Sequence, residues 1–273
     1  MSTPSEISPI ELIVHGAAGR MGRRVVALAS EDSSFKITAT IDHDGNPLMG
    51  QDAGAVAGLS PIGVPLTSQW PEHADAVIDF SLPTALESCV AKAVEHQVAL
   101  VVATTGLDDG QKADLAKAGE AIPIVWAPSM SMAVNLTMKL TQQITETLKD
   151  VAGGIDIEIL ERHHRFKADA PSGTALRFGE LIAEKLDGEI KHVHGREGET
   201  GERTRNEIGY HAIRVGDNPG EHSIVFGMLG ERIELNVAAS NRDCYASGAL
   251  AAAKWLQGRP NGLYSMFDVL GLS

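Results

Sequence analysis

The sequence predicts an α/β protein: a Rossmann-like, doubly wound parallel sheet joined to a second α+β domain that carries an open mixed sheet. Three observations lead there. Short β-rich runs alternate strictly with helical stretches over the first half of the chain, which implies a parallel sheet covered on both faces by right-handed crossovers. A glycine turn sits between the first strand and the first helix. After Ser129 the rhythm changes to a long helix followed by alternating strands.

Residues 11–15 read as a strand, and a helix is expected over about 20–30. Residues 36–42 form the next strand, a loop rich in glycine and proline covers 45–65, and 76–80 is the third strand. Ser81 is the expected N-cap of a helix running towards His96, with Pro83 in its first turn. Strands four and five are expected at 98–103 and 122–126, with a short helix between them. Beyond Ser129 come a helix over about 132–149, an alternating strand at 155–161 and a helix over about 174–186. A polar region with several glycines follows, then strand-like runs at 223–226 and 232–238. The alanine-rich helix at 246–256 is expected to return to the first domain. The expected division is therefore 1–130 with 243–273 as a dinucleotide-binding domain, and 131–242 as a substrate-binding and oligomerisation domain. The polar first eight residues read as a loose tail.

Acidic residues outnumber basic ones by 36 to 23, giving a formal charge of −13. Nucleic acid and anionic membranes need a basic face, so both are excluded as broad partners. The two cysteines, Cys89 and Cys244, are far apart and lack metal-ligand spacing, which fits a reduced thiol protein and no metal site. No basic segment followed by an apolar core marks a signal peptide, and no apolar run approaches a membrane span. The expectation is a soluble cytoplasmic protein.

The glycine turn is Gly16-Ala17-Ala18-Gly19-Arg20-Met21-Gly22. Gly16 permits the tight turn, Gly19 lets the backbone approach a pyrophosphate, and Gly22 lets the helix pack close to the sheet. The helix N-terminus offers free N–H groups to phosphates. Asp42 closes the second strand twenty residues after Gly22, where a carboxylate can hold ribose hydroxyls. The spacing is GxxGxxG rather than GxGxxG. His43 and Arg20 can accept a 2′-phosphate whereas Asp42 repels one, so NADH and NADPH both remain open.

The densest chemistry lies between Glu161 and Ala175. A strand ending near Arg162 would leave His163, His164 and Lys167 in a loop at its C-terminal end, where α/β proteins commonly hold reactive groups. The N–H groups of Gly173 and Thr174, with the Ser172 and Thr174 hydroxyls, form an anion site at a helix start. Lys167 and His164 can grip one carboxylate and the helix start another, which describes a pocket for a dianionic substrate. His163 titrates near neutrality and can donate a proton. Hydride transfer to an electron-poor ring leaves a negative centre that must be protonated, so a hydride donor and an acid belong together. A solvated histidine loop is the plain alternative, and a metal site lacks the i, i+4 spacing of zinc enzymes.

The pattern Glu161-x-His163-His164-x-x-Lys167-x-Asp169-x-Pro171-Ser172-Gly173-Thr174-Ala175 resembles the dihydrodipicolinate reductase family without a gap. The resemblance continues through 196–203, 208–210, 214–217, 220–222 and 230–234, and so covers essentially the whole chain. It implies that His163 is the proton donor and that Lys167 assists as acid or carboxylate anchor. It implies that His164, Gly173 and Thr174 bind the substrate carboxylates. The segment from Gly16 to Gly22 and Asp42 would hold the nicotinamide cofactor, helped by Ala103, Thr104 and Thr105 and by Ala127, Pro128, Ser129 and Met130. The reaction implied is reduction of the cyclic imine formed from 4-hydroxy-tetrahydrodipicolinate, with loss of water, to tetrahydrodipicolinate. A homotetramer built through the second domain's sheet is implied as well. The family usually has glycine at Ala103, asparagine at Ser129, histidine at Val237 and arginine at His43. Two other readings keep part of this chemistry: a dehydrogenase for another amino-acid-derived acid, such as aspartate or a semialdehyde, and a nicotinamide-binding regulator without catalysis.

Overall fold

The structure, a computed structural model, describes residues 8–272; the start read as a tail lies, up to residue 7, outside the described residues. The chain divides into two units, one running to Met132 and resuming at Arg242, the other spanning Ala133–Asn241.

The first unit opens with β1 (Ile10–His15), α1 (Arg20–Glu31) and β2 (Phe35–Ile41). Within the stretch expected to be loop lies α2 (Ala53–Val56), and β3 (Leu66–Thr67) follows it. Then come β4 (Ala76–Asp79), α3 (Pro83–Glu95), β5 (Ala99–Val102), α4 (Asp109–Ala118) and β6 (Pro123–Trp126). Side chains on β1 alternate between two apolar layers. Leu12 and Val14 join Val25, Val26 and Ala249 on one face, while Ile13 joins Leu86 and Leu115 on the other. Both faces are therefore buried, as a parallel sheet between helical layers requires. Each such side chain contributes about 1.5–3 kcal/mol by leaving water, which is why these strands read as continuous apolar runs. Ser81 is not the cap of α3: that position is Leu82, and no side chain caps it. The Ser81 N–H is drawn instead to Asp79 Oδ1, 3.3 Å away, and Pro83 starts the helix at a site where no N–H is needed.

In the second unit α5 (Met132–Leu148) leads to β7 (Asp156–His163) and α6 (Gly173–Ala183). The polar, glycine-bearing region holds two strands that the sequence reading missed, β8 (Lys191–His194) and β9 (Glu207–Arg214). β10 (Glu221–Met228) and β11 (Glu231–Ala238) complete a sheet ordered β11-β10-β7-β9-β8. Its pairs are antiparallel at β10–β11 and β10–β7 and parallel at β7–β9 and β8–β9, so it is mixed. β7 runs one residue past Arg162. His163 is therefore the last strand residue, paired with Arg214, and not a loop residue as expected. Glu161 and His163, two apart, share the buried face of the strand.

The chain returns to the first unit in α7 (Asp243–Leu256), followed by β12 (Gly262–Tyr264) and α8 (Met266–Val269), both unforeseen. α7 packs on α1 and against β4, β5 and β6. The complete parallel sheet has the order β12-β6-β5-β4-β1-β2-β3. β2 lies on one side of β1 and β4 on the other. The winding thus reverses at β1, and open α/β sheets bind ligands outside the carboxyl ends of strands at such a reversal.

Candidate functional site

Every residue expected to hold a cofactor falls at the carboxyl end of a parallel strand in the first unit: Gly16 to Gly22 after β1, Asp42 and His43 after β2, Ala103 to Thr105 after β5, Ala127 to Met130 after β6. Gly16 has φ of +73°, and a Cβ there would stand 2.7 Å from the Phe80 carbonyl oxygen. A Cβ on Gly22 would lie 2.6 Å from Ala17 Cα, so only glycine lets α1 start this close to the turn. Ala18 is fixed from both sides, its N–H donating to Asp42 Oδ2 at 2.9 Å and its carbonyl accepting from Arg23 Nε at 2.7 Å. The first-turn amides of α1 have no intrahelical acceptor, no acidic side chain stands in that turn, and Gly19 as N-cap offers no side chain to cover it. A dinucleotide's diphosphate fits this arrangement. Arg20 and His43 are exposed, with His43 Nε2 3.9 Å from Asp42 Oδ1.

Thr104 faces inward. Its hydroxyl donates to Asp79 Oδ2 at 2.5 Å, and His15 Nδ1 lies 2.6 Å from Asp79 Oδ1. The sequence reading gave neither His15 nor Asp79 a role; the fully buried Asp79 carboxylate ties together the carboxyl ends of β1, β4 and β5. His15, Asp79 and Cys89 place three ligand-type atoms within 4.8 Å of one another. Burial raises the Cys89 thiol well above its ordinary pKa, so sulfur there stays protonated. Ser129 and Met130 are buried while Pro128 and Thr105 are exposed.

The second unit gathers the other cluster. Glu161, 1% exposed, accepts from Nη1 and Nη2 of Arg214, each at 2.7 Å, from the Ser172 N–H at 3.0 Å, and lies 2.6 Å from His163 Nδ1. Burial pushes this carboxyl up, but Arg214, His163 and the Ser172 N–H outweigh it and hold it below the usual carboxylate range. His163 is lowered, first by burial and further by the charges of Lys167 and Arg214, against the opposing pull of Glu161. Lys167 lies 2.9 Å from Asp169 in the loop after β7. His164 sits in the same loop and its Nδ1 is buried with no hydrogen-bond partner among the described residues.

Ser172 is the N-cap of α6, accepting the Ala175 N–H at 3.2 Å, and its Oγ also meets His222 Nε2 at 3.1 Å. Its hydroxyl and N–H are thus both committed inside the protein, which leaves the amides of Gly173 and Thr174, the first two of α6, as the groups at this helix start without an intrahelical acceptor. Glu161, Arg214, Gly220 and His222 went without roles in the sequence reading. The i, i+2 spacing of Glu161 and His163 on a strand is a signal that could have found the first. Arg214 and His222 stand opposite His163 and Glu161 only through strand register, and Val237 lies opposite His222 in turn.

Comparisons with known proteins cover the same ground. Residues 10–130 match the family model for the N-terminus of dihydrodipicolinate reductase, and residues 133–270 match that for its C-terminus. A 4-hydroxy-tetrahydrodipicolinate reductase of Rhodopirellula baltica is 68% identical over 97% of this chain and 97% of its own length. One from Pseudomonas fluorescens is 46% identical over 96% of this chain and 98% of its own. Among solved structures, dipicolinate-bound dihydrodipicolinate reductase from Paenisporosarcina sp. TG-14 superposes with a TM-score of 0.76 at 23% identity, covering 95% of this chain and 98% of that one. An amine dehydrogenase from Mycobacterium smegmatis shares the fold at a TM-score of 0.60 and 12% identity, covering 94% and 95% of the two chains.

Proposed function

The chain belongs to the dihydrodipicolinate reductase family, and from that premise we propose how its residues divide the work of the family's reaction. That reaction is the NAD(P)H-dependent reduction of 4-hydroxy-tetrahydrodipicolinate to tetrahydrodipicolinate in lysine and diaminopimelate biosynthesis. When bound, the nicotinamide supplies the hydride. In the first unit the amides at the start of α1 hold the diphosphate and Asp42 holds the ribose hydroxyls, with the segments at 103–105 and 127–130 beside them. In the second unit His163 donates the proton that the reduced ring requires. Lys167 anchors a carboxylate or assists as acid, and His164 with the amides of Gly173 and Thr174 binds the substrate's carboxylates.

One observation carries this reading: His163, buried and backed by Glu161, shares a short segment with Lys167 and with the Gly173 and Thr174 amides, which the Ser172 cap leaves unengaged. An acid beside two anion-binding groups suits a dicarboxylate that must gain a proton. The test couples the purified protein to the upstream synthase, so that substrate forms in the tube, with NADH and NADPH in parallel. Cofactor oxidation is expected only when substrate is being made. His163→Gln and Lys167→Met are each expected to lower turnover by roughly 10²–10⁴-fold; wild-type rates in both would remove the assignment.

We further propose a homotetramer in the cytoplasm, assembled through the five-stranded sheet. The support is that β7 buries Ile157 and Ile159 on one face, while Glu158, Leu160 and Arg162 on the other are half-buried or exposed. No helix among the described residues is long and apolar enough to cross a membrane. Sedimentation at micromolar concentration tests the assembly, and a monomer there would dismiss it.

A further inference from the structure

The two ring nitrogens of His163 have opposite surroundings. Nδ1 lies 2.6 Å from Glu161 Oε2, and that carboxylate is itself held by Arg214 and the Ser172 N–H. Nε2 has no hydrogen-bond partner among the described residues and faces Gly220. A Cβ on Gly220 would stand 2.9 Å from Nε2 and 3.2 Å from the neighbouring ring carbon. The Gly220 backbone is anchored at both polar groups: its N–H donates to Asn218 Oδ1 at 2.8 Å and its carbonyl accepts the Ala239 N–H at 2.9 Å. Its φ of +149° also disfavours any residue with a side chain.

From these contacts we infer that Nε2 is the proton-delivering atom of His163, with Glu161 and Arg214 as positioning residues and Gly220 keeping the Nε2 side open. The inference rests on the reading of His163 as the acid. A buried carboxylate has only acceptors to offer, so the ring must keep a proton on Nδ1 in both protonation states. Delivery of the Nε2 proton to the substrate carbanion then leaves a neutral Nδ1–H imidazole still hydrogen-bonded to Glu161. Proton and charge balance: the carbanion becomes a C–H bond, and the imidazolium loses its positive charge. Solvent protonates Nε2 again before the next turnover.

Arg214 gives Glu161 its fixed orientation by a two-point pair, which a lysine could not reproduce. The charged and titratable groups around the ring are Glu161 on β7, Lys167 in the following loop, Arg214 at the end of β9, and His222 on β10, whose ring lies edge-on at 5.3 Å. Of these, only Glu161 favours the protonated ring.

The test begins on the full-length wild-type protein labelled with ¹⁵N-histidine. At a pH where His163 is neutral, its signals are expected to report the Nδ1–H tautomer, with His163→Gln used for assignment. An Nε2–H tautomer overturns the inference and needs no variant to fold. Glu161→Gln, close in shape, is expected to lower kcat by about 10²-fold or more and to move the alkaline limb of the rate profile to lower pH, with cofactor KM unchanged. Gly220→Ala is expected to lower kcat at least tenfold while leaving the tautomer as in the wild type. An active His163→Gln sinks the acid reading itself. An inactive His163→Gln beside a Glu161→Gln enzyme with unshifted pH profile sinks only this inference.

Discussion

Asp42 Oδ2 accepts the Ala18 N–H across 2.9 Å, so the carboxylate that follows β2 is tied to a turn 24 residues earlier. Its other oxygen accepts from the His43 N–H and from Asn46 Nδ2, each at 3.0 Å. The side chain is thereby held at the strand end before any ribose arrives. In the role proposed for Asp42, replacing it by Ala would remove charge-assisted bonds to ribose but also the charge that repels a 2′-phosphate, with Arg20 and His43 still exposed nearby. The KM for NADH is expected to rise roughly tenfold or more, and that for NADPH by less. The ratio of kcat/KM for NADPH over NADH should therefore increase. An unchanged ratio would mean that Asp42 does not face the ribose.

His222 predicts a loss of stability in mild acid. It is buried opposite Glu161 in the β10–β7 register, and burial first, then the charge of His163, pushes its pKa down to about 4. In the unfolded chain the same ring titrates near its ordinary value of 6.5. Between these values the unfolded state binds a proton that the folded state refuses, so stability rises with pH. The contribution is complete above pH 6.5 and is lost as the pH falls towards 4. At 1.36 kcal/mol per pH unit, moving from pH 7.5 to pH 5 costs about 2 kcal/mol. Urea unfolding at these two values should show the wild type losing about that much more than His222→Gln. Equal losses would show that this ring does not titrate in the window.

How much of this was legible in the sequence depends on the range over which each feature is encoded. The strand at 98–103 carries a continuous apolar run, and that at 76–80 a run broken only by Asp79, because both faces of their sheet are buried, and the turn from Gly16 to Gly22 carries its own steric reason; all were readable locally. The segment around His163 was readable as a dense run of ionisable residues before a helix start, but the strand position of His163 was not, because β7 runs one residue past Arg162. β8 and β9 were not readable either: β8 is polar and buries none of its four residues, and the buried positions of β9 include Glu207, Gly209 and Tyr210, a pattern without apolar alternation. A Cβ on Gly209 would collide with the Glu158 side chain, so this glycine makes room for a charge network and gives no loop signal. Likewise the partners of Glu161 and Ser172, namely Arg214 and His222, lie 53 and 50 residues away and only strand register brings them in.

That charge network yields the last prediction. Arg203 donates to Asp156 Oδ1 at 2.8 Å, to Glu158 Oε1 at 3.1 Å, and through Nη2 to the carbonyls of Ile157 at 3.0 Å and Glu207 at 2.6 Å. Arg196 pairs with Glu158 and Glu207 beside it. Burial pushes the Glu158 carboxyl up, yet Arg196, His211 and Arg203 together bring it down to about 2. The segment between β8 and β9 is thus held against the sheet by ions in place of apolar side chains. Arg203→Ala strips Glu158 of one cation and leaves the carbonyls of Ile157, Thr204 and Glu207 without that donor, so it should cost roughly 1–3 kcal/mol in urea unfolding. Arg177→Ala removes pairs to Glu180 and Glu184 on the exposed side of α6, where an ion pair is worth at most about 1 kcal/mol. The same small loss in both variants would mean that the segment is held by something other than Arg203. A larger loss for Arg203 alone, with amides of β9 exchanging faster with solvent, is the expected result.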